Sequence, residues 1–75
     1  MTVYATIDLG GTKIAGALAT VEGAIVAERT VPTQSYEGPR AVIERIGALV
    51  NELAADYGER PAALGMGIPG NATAA

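Results

Sequence analysis

Hydrophobic and polar residues alternate near the start of the chain, a pattern typical of a β-strand with one buried face. Residues 3–7 (VYATI) alternate in this way, residues 14–20 (IAGALAT) form a run of small apolar residues, and residues 24–31 (AIVAERTV) are rich in strand formers before Pro32. Gly10 and Gly11 permit a tight reversal after the first strand, and residues 21–23 form a second connection with Gly23 at a positive φ. We therefore expect a three-stranded antiparallel meander whose second strand is covered on both faces.

The hydrophobic period then lengthens to three and four residues, which indicates an amphipathic helix over residues 40–57. Its apolar stripe consists of Val42, Ile43, Ile46, Leu49, Val50, Leu53 and Tyr57. Gly38 and Pro39 predict the start of this helix, and Gly58 predicts its end as the C′ residue. Gly47 costs the helix about 1 kcal/mol relative to alanine, so it either allows close approach to the sheet or is merely tolerated.

Residues 62–68 are mostly apolar and predict a short buried strand that ends at Pro69 and Gly70. A strand reached through a crossover helix pairs most readily in parallel, which gives the order βββαβ and an α/β fold. Residues 71–75 have no pattern that we can assign. A sheet of this kind has an open edge and one uncovered face, so we expect the chain to be part of a larger domain.

Composition and charge narrow the class of protein. The net charge of −3 leaves no basic surface for nucleic acid, because the five cations are scattered along the 75 residues. The chain has no cysteine and no histidine, which excludes disulfides, thiol nucleophiles and the usual zinc ligands. It shows neither a signal peptide nor an apolar run long enough to cross a bilayer. We therefore expect a cytoplasmic protein that binds neither nucleic acid nor membrane.

Residues 8–13 (DLGGTK) carry the candidate chemistry, and they lie between two predicted strands. They are neither a Walker A loop, which leads into a helix, nor a G-x-G-x-x-G loop. Gly10 and Gly11 let backbone amides face an anion, Thr12 offers a hydroxyl, and Lys13 offers a positive charge. Asp8 can hold Mg²⁺ through water. The same residues also suit a plain hairpin turn with solvated ends, and spacing alone leaves both interpretations open.

The segment at residues 8–13 resembles the first phosphate motif of the actin-like ATPases, and its form D-x-G-G-T-K resembles the ROK family of repressors, uncharacterised frames and kinases. Residues 65–70 (GMGIPG) resemble the G-x-G-x-P-G segment of that family. The two motifs occur in the family's order and are joined by the predicted βββαβ pattern. The resemblance implies an actin-like ATPase (RNase H-like) fold, with residues 1–75 as a partial N-terminal ATP-phosphate-binding domain.

Members of this family are commonly ATP-dependent hexose kinases, so the resemblance implies ATP, magnesium and a sugar as ligands, and we expect a homo-oligomer. The residues that it assigns to the phosphates of Mg-ATP are Asp8, Gly10, Gly11, Thr12 and Lys13, with Asp8 on the magnesium side through water. It assigns Gly67, Pro69 and Gly70 to the loop that borders the sugar. Asn71 departs from the family pattern and is not assigned a role.

No catalytic residue is assigned within these residues. The resemblance places the proton-accepting aspartate in an Asn-Asp motif further along the chain, and it places a His/Cys zinc motif there as well. Asp56 is expected to be a solvated charge on the polar face of the helix. We therefore expect no kinase turnover from this polypeptide by itself.

Three other classes of protein share parts of this pattern. A sugar-responsive repressor of the same family carries an N-terminal helix-turn-helix, for which we expect no room because the first strand begins at residue 3, although the body could belong to a regulator that has lost its DNA-binding domain. A non-enzymatic module could self-associate through the uncovered face of the sheet. Another actin-like ATPase, such as a chaperone or a cell-division protein, is disfavoured by the combination of the two motifs.

Overall fold

In the part of the chain that the structure describes, four β-strands form one mixed sheet, and one long helix packs on one face of it. The computed structural model describes residues 2–67. The elements are β1 (Val3–Leu9), β2 (Lys13–Thr20), β3 (Ile25–Pro32), a short 3₁₀ helix (Ser35–Glu37), α1 (Pro39–Tyr57) and β4 (Leu64–Gly67). This is the predicted order βββαβ, and the α/β fold class is confirmed.

The spatial order of the strands is β3-β2-β1-β4. The first three strands are antiparallel neighbours, as expected for a meander with short connections. β4 follows the crossover helix and pairs in parallel with β1, so that Ala5 lies beside Leu64 and Asp8 lies beside Gly67. The carboxyl ends of β1 and β4 therefore lie at the same edge of the sheet.

The core lies between the sheet and α1. Alternate residues of β1 and β2 face the helix and are buried, and they meet the apolar stripe of α1. The buried apolar residues are Val3, Ala5, Ile7, Ile14, Leu18, Ile46, Leu49, Leu53 and Ala54. A Cβ atom at Gly16 would lie 2.9 Å from Cδ2 of Leu49, so the helix approaches β2 as closely as a glycine allows.

The last predicted strand is present but is not buried, contrary to the sequence interpretation. All four residues of β4 are exposed, including Leu64 at 51% and Met66 at 52%. α1 packs mainly over β2 and β3, so it does not cover the edge strand. Ile43 of the predicted helix stripe is exposed for 68% of its surface. The predicted final residue of the strand, Ile68, lies outside the described residues.

The second strand is also less covered than predicted. Its helix-facing residues are buried, whereas Ala15, Ala17 and Ala19 on the opposite face are only half-buried. The sheet therefore has one face packed against α1 and one face open. The open face was predicted for the sheet as a whole, but β2 was wrongly expected to be covered on both sides.

Glycines end two of the elements as predicted. Gly23 has a φ of 93° in the connection between β2 and β3, and Gly58 has a φ of 95° after the last turn of α1. The Gly58 amide donates to the carbonyl of Ala54 at 2.7 Å, which satisfies one of the free carbonyls at the helix end. Gly47 meets no atom within 4 Å of a Cβ position, so the helix tolerates this glycine and the sheet does not require it.

Asp56 is exposed, but it is not simply solvated as predicted. Nε of Arg29 on β3 donates to its Oδ2 at 2.7 Å, and Nη2 of Arg29 donates to its Oδ1 at 3.2 Å. These hydrogen bonds lower the pKa of Asp56 and raise the pKa of Arg29. Arg29 also pairs with Glu52, whose Oε1 lies 3.6 Å from Nη1 of Arg29. The ion pair links β3 to α1 at the surface.

Within residues 2–67, no helix combines the length and the apolar character that a membrane crossing requires.

Candidate functional site

The bend between β1 and β2 contains the predicted phosphate-binding residues. The Gly10 amide donates to the carbonyl of Lys13 at 2.9 Å, and a Cβ atom on Gly10 would lie 2.9 Å from that same carbonyl oxygen. Gly10 is therefore required by the bend itself. The expectation that the Gly10 amide faces a ligand is wrong, because a protein carbonyl already accepts its hydrogen.

The backbone conformation of the bend does not match an ordinary two-residue hairpin. Such hairpins use type I′ or type II′ turns, which need a positive φ at the first central residue. Neither Gly11 nor Thr12, at the centre of this bend, has a positive φ. The glycine pair is thus not explained by the left-handed conformation that usually selects Asn-Gly or Gly-Gly at hairpin turns.

Gly11 has no structural reason to be a glycine. Its φ is not in the left-handed region, and a Cβ atom at this position would meet no atom within 4 Å. Its surface is exposed, and among residues 2–67 its amide and that of Thr12 donate to no backbone carbonyl. Thr12 and Lys13 are exposed beside it. A glycine that the fold does not require has no side chain to block a ligand, so a ligand can approach the backbone closely here.

Thr33 holds the bend from the side of β3, and the sequence interpretation missed it. Its Oγ1 donates to the carbonyl of Gly10 at 2.8 Å, and its amide donates to the carbonyl of Thr12 at 3.0 Å. Thr33 is only 2% exposed. No local pattern identifies it. The one available signal is that it directly follows a strand that pairs with the lysine end of the bend, Lys13 with Pro32.

The described part of the second motif, residues 65–67, lies beside β1. The parallel register places Gly67 next to Asp8 and Gly65 next to Thr6. Among the described residues, a Cβ atom on either glycine would meet no atom within 4 Å, so the strand beside Asp8 is open at these positions. Ligands of α/β folds bind at the carboxyl ends of parallel strands, which is where Asp8 and Gly67 lie. Pro69, Gly70 and Asn71 lie outside the described residues.

Asp8 lies on the face of the sheet opposite α1, and its side chain is exposed. It lines a shallow depression of about 180 Å³ on that face, together with Thr6, Glu28 and Thr30. Within residues 2–67 no three acidic, histidine or cysteine side chains form a metal-binding cluster. The carboxylates that line the depression are those of Asp8 and Glu28, and one or two carboxylates with several waters is an arrangement that Mg²⁺ accepts and that transition metals do not favour. The residues present therefore fit a hydrated magnesium ion.

A larger depression of about 330 Å³ lies at the other end of the molecule, around Asn51, Gly58 and Arg60. None of the predicted site residues lines it. It adjoins the carboxyl end of α1, where the helix dipole disfavours an anion, and Nη2 of Arg60 donates to Oδ1 of Asn51 at 3.2 Å. This end of the helix is a poor place for a polyphosphate.

Comparison of the sequence with known proteins identifies relatives in one family. The sequence profile of the ROK family matches residues 4–74. An N-acetylmannosamine kinase from Shigella flexneri is 41% identical over 68 residues, which cover 91% of this chain and 23% of that protein. A related N-acetylmannosamine kinase from Escherichia fergusonii is 45% identical over 49 residues.

Solved structures agree with this fold. The ROK hexokinase from Thermus thermophilus aligns with a TM-score of 0.83 at 32% identity, over 92% of this chain and 22% of that one. A ROK family glucokinase from Streptomyces griseus, solved in complex with glucose and AMPPNP, aligns with a TM-score of 0.78 at 29% identity, over 91% of this chain and 20% of that one. These kinases share the actin-like ATPase fold, of which the four strands and the helix form the N-terminal part.

The chain spans less than a quarter of the length of these relatives. The family profile nevertheless covers nearly all of its residues and includes both glycine motifs. This chain therefore belongs to the ROK family, and it corresponds to the N-terminal part of its sugar kinases.

Proposed function

We propose that residues 8–13 bind the polyphosphate of Mg-ATP in an ATP-dependent sugar kinase. The observation that carries this proposal is Gly11, a glycine whose amide is free of backbone partners and whose surroundings are empty. The same segment carries two groups that suit a magnesium nucleotide, the Asp8 carboxylate and the Lys13 ammonium. The fold accounts for Gly10 but not for Gly11, and a ligand that approaches the backbone accounts for it.

Each residue of the bend has a distinct part in the proposal. The amides of Gly11 and Thr12 and the hydroxyl of Thr12 donate hydrogen bonds to phosphate oxygens, and Lys13 adds a positive charge. Asp8 accepts hydrogen bonds from water molecules of the magnesium shell and so fixes the ion beside the phosphates. Gly10 contributes by forming the bend. Mg-ATP, when bound, supplies the phosphoryl group, and this part of the protein positions it.

The substrate class follows from the relatives. The matched proteins include N-acetylmannosamine kinases and a glucokinase that holds glucose and AMPPNP, which supports a hexose or an N-acetylated hexosamine as the acceptor. In the proposal Gly67, Pro69 and Gly70 border the sugar, since Gly67 lies next to Asp8 in the sheet. We also propose magnesium as the metal, a homo-oligomer as the assembly and the cytoplasm as the compartment, as the family implies. Residues 1–75 would form part of a larger nucleotide-binding domain.

Calorimetric titration of the chain with Mg-ATP tests the nucleotide site. Gly11→Ala places a methyl group where the phosphate would approach, and loss of one charge-assisted hydrogen bond weakens binding by about tenfold or more. Gly47→Ala is the matched control, because Gly47 is also surrounded by empty space but lies in α1. We expect Gly47→Ala to bind as the wild type does. Asp8→Asn should reduce the advantage of Mg-ATP over metal-free ATP.

Two results would contradict the proposal. The first is equal affinity of the wild type and Gly11→Ala for Mg-ATP, with both proteins folded. The second is the absence of nucleotide binding by the wild type at millimolar concentration. Far-ultraviolet circular dichroism of each variant shows whether a lost signal reflects the site or the fold.

A further inference from the structure

We propose that Thr33 is a positioning residue for the nucleotide site, which orients the Gly11 amide by holding two carbonyl groups of the bend. This inference rests on the proposed function, because Thr33 can position a nucleotide site only if the bend binds phosphate. Thr33 is separated by 23 positions from Gly10, with which it bonds, and it belongs to neither sequence motif. Its role would be to act through the backbone of the bend, without touching the ligand.

The hydrogen bonds of Thr33 fix the bend at two points. The hydroxyl donates to the carbonyl of Gly10 at 2.8 Å, and the amide donates to the carbonyl of Thr12 at 3.0 Å. The first carbonyl belongs to the peptide unit that precedes Gly11, and the second belongs to the unit that follows Thr12. One residue, through its side chain and its backbone amide, thus restrains the bend before Gly11 and after Thr12.

The planarity of the peptide bond converts this restraint into an orientation. In a trans peptide unit the C=O and the N–H point in opposite directions. The C=O of Gly10 points at Oγ1 of Thr33, so the N–H of Gly11, in the same unit, points away from Thr33. Thr33 is buried and Gly11 is exposed, so the Gly11 amide faces solvent. That is the direction from which a phosphate would approach.

Thr33 is itself held from the helix side. Nη1 of Arg45 in α1 donates to the carbonyl of Thr33 at 2.6 Å, and Nη2 of the same guanidinium donates to the carboxylate of Glu37. Buried polar groups are costly when they lack partners, and every polar group of Thr33 has one. The result is a continuous set of hydrogen bonds from α1 through Thr33 to the bend.

Such a support changes binding because it removes motion before the ligand arrives. Donors that are already oriented lose less conformational freedom when an anion binds, so affinity rises without any new contact to the ligand. Gly10 and Gly11 are flexible residue types, and the bend has no positive-φ turn geometry to define it. A bend of this kind depends on an outside restraint more than a regular hairpin turn does.

The test compares Thr33→Val with Thr33→Ser in the 75-residue chain. Valine keeps the shape but removes the hydroxyl, and serine keeps the hydroxyl but removes the methyl group. We expect Thr33→Val to bind Mg-ATP about three- to tenfold more weakly, the effect of one lost hydrogen bond, and Thr33→Ser to stay close to the wild type. Urea unfolding of both variants reports whether stability falls as well.

A spectroscopic readout separates positioning from general stability. In a ¹H–¹⁵N spectrum without nucleotide, Thr33→Val should shift or broaden the Gly11 amide signal, and Thr33→Ser should not. Arg45→Met serves as a second variant if Thr33→Val unfolds, because Arg45 lies on the partly exposed side of α1. Like Thr33→Val, Arg45→Met should weaken Mg-ATP binding, and it leaves the Asp8 carboxylate in place.

The outcomes distinguish the two proposals. If the wild type binds Mg-ATP and folded Thr33→Val binds it equally well, with an unchanged Gly11 signal, Thr33 has no positioning role and the proposed function stands. If Thr33→Ser loses as much affinity as Thr33→Val, the hydroxyl is not responsible and the inference fails. If the wild type binds no nucleotide, the proposed function fails and the inference fails with it.

Discussion

The tight contact between β2 and α1 at Gly16 predicts that a very small substitution, Gly16→Ala, destabilises the fold. An added Cβ atom would lie 2.9 Å from Cδ2 and 3.1 Å from Cγ of Leu49, and 3.1 Å from Cδ1 of Leu53. Distances this short require movement of the neighbours. Leu49 is 1% exposed and Leu53 is fully buried, so neither side chain has free space into which it could turn.

The size of the effect follows from two opposing terms. Overpacking a filled core costs about 1–3 kcal/mol. Replacing a strand glycine by alanine recovers roughly 0.5–1 kcal/mol of backbone entropy. The difference is centred on about 1 kcal/mol with an upper limit of about 2.5 kcal/mol, so we expect Gly16→Ala to lower the free energy of unfolding by about 1 kcal/mol, out of roughly 4–11 kcal/mol for a domain of this length.

Urea denaturation followed by circular dichroism measures this change. The midpoint should fall while the slope of the transition stays the same, because the surface exposed on unfolding does not change. Gly65→Ala is a matched control on the open edge strand, where an added Cβ meets no atom within 4 Å. It should leave the midpoint nearly unchanged.

A double-mutant cycle with Leu49→Ala gives a sharper test. Leu49→Ala alone should cost about 2–5 kcal/mol, because it leaves a cavity in the core. In the double variant the alanine at position 16 points into that cavity, so the two costs should sum to more than the measured loss. If Gly16→Ala is as stable as the wild type, or if the two changes simply add, the close contact between β2 and α1 is not present as described.

Two further predictions concern the surface and the bend. Because the hydrogen bond from Arg29 lowers the pKa of Asp56, the ion pair contributes stability above the unfolded pKa of about 3.9, and that contribution is lost as the pH falls through the lower folded value. The midpoints of wild type and Asp56→Asn should therefore differ at pH 7 and converge below pH 4; a constant difference would rule out the pair. Gly10→Ala should destabilise the fold by about 1–3 kcal/mol, because the new Cβ meets a backbone oxygen, whereas Gly11→Ala should not. Equal urea midpoints for these two variants would contradict the separate roles given to the two glycines.

Local patterns were sufficient to predict the elements and their order. The alternation near Val3, the three- and four-residue spacing before Tyr57 and the glycine at Gly58 each depend on nearby residues, and all three predictions are confirmed. The parallel pairing of β4 followed from the crossover helix alone. The proximity of Asp8 and Gly67 could then be expected from the topology, since the carboxyl ends of parallel strands lie at the same edge of a sheet.

Properties that depend on where α1 lies on the sheet could not be predicted. β4 has an apolar sequence like that of a buried strand, yet Leu64 and Met66 are exposed because the helix covers the other strands. Ile43 fits the helix stripe by spacing but faces solvent for the same reason. Asp56 gains its partner only because β3 runs beneath this side of the helix. Burial of this kind is decided by helix placement, which the hydrophobic period does not specify.

The candidate site also has features that local patterns predict and features that depend on tertiary packing. The composition of the bend suggested phosphate chemistry, but it could not separate Gly10, which the turn requires, from Gly11, which the fold leaves open. Thr33 could not be found from the sequence, because its partners are distant along the chain and threonine is common in loops. Only the register of β3 against β2 brings it to the bend.

The most direct test of the central claim is a ¹H–¹⁵N spectrum of the chain recorded during titration with Mg-ATP. We predict that the largest shifts fall on Gly11, Thr12 and Lys13, with smaller shifts on Gly67 across the sheet edge and none around Gly58. Shifts centred on the depression beside Gly58, or a spectrum that does not change at millimolar nucleotide, would contradict it.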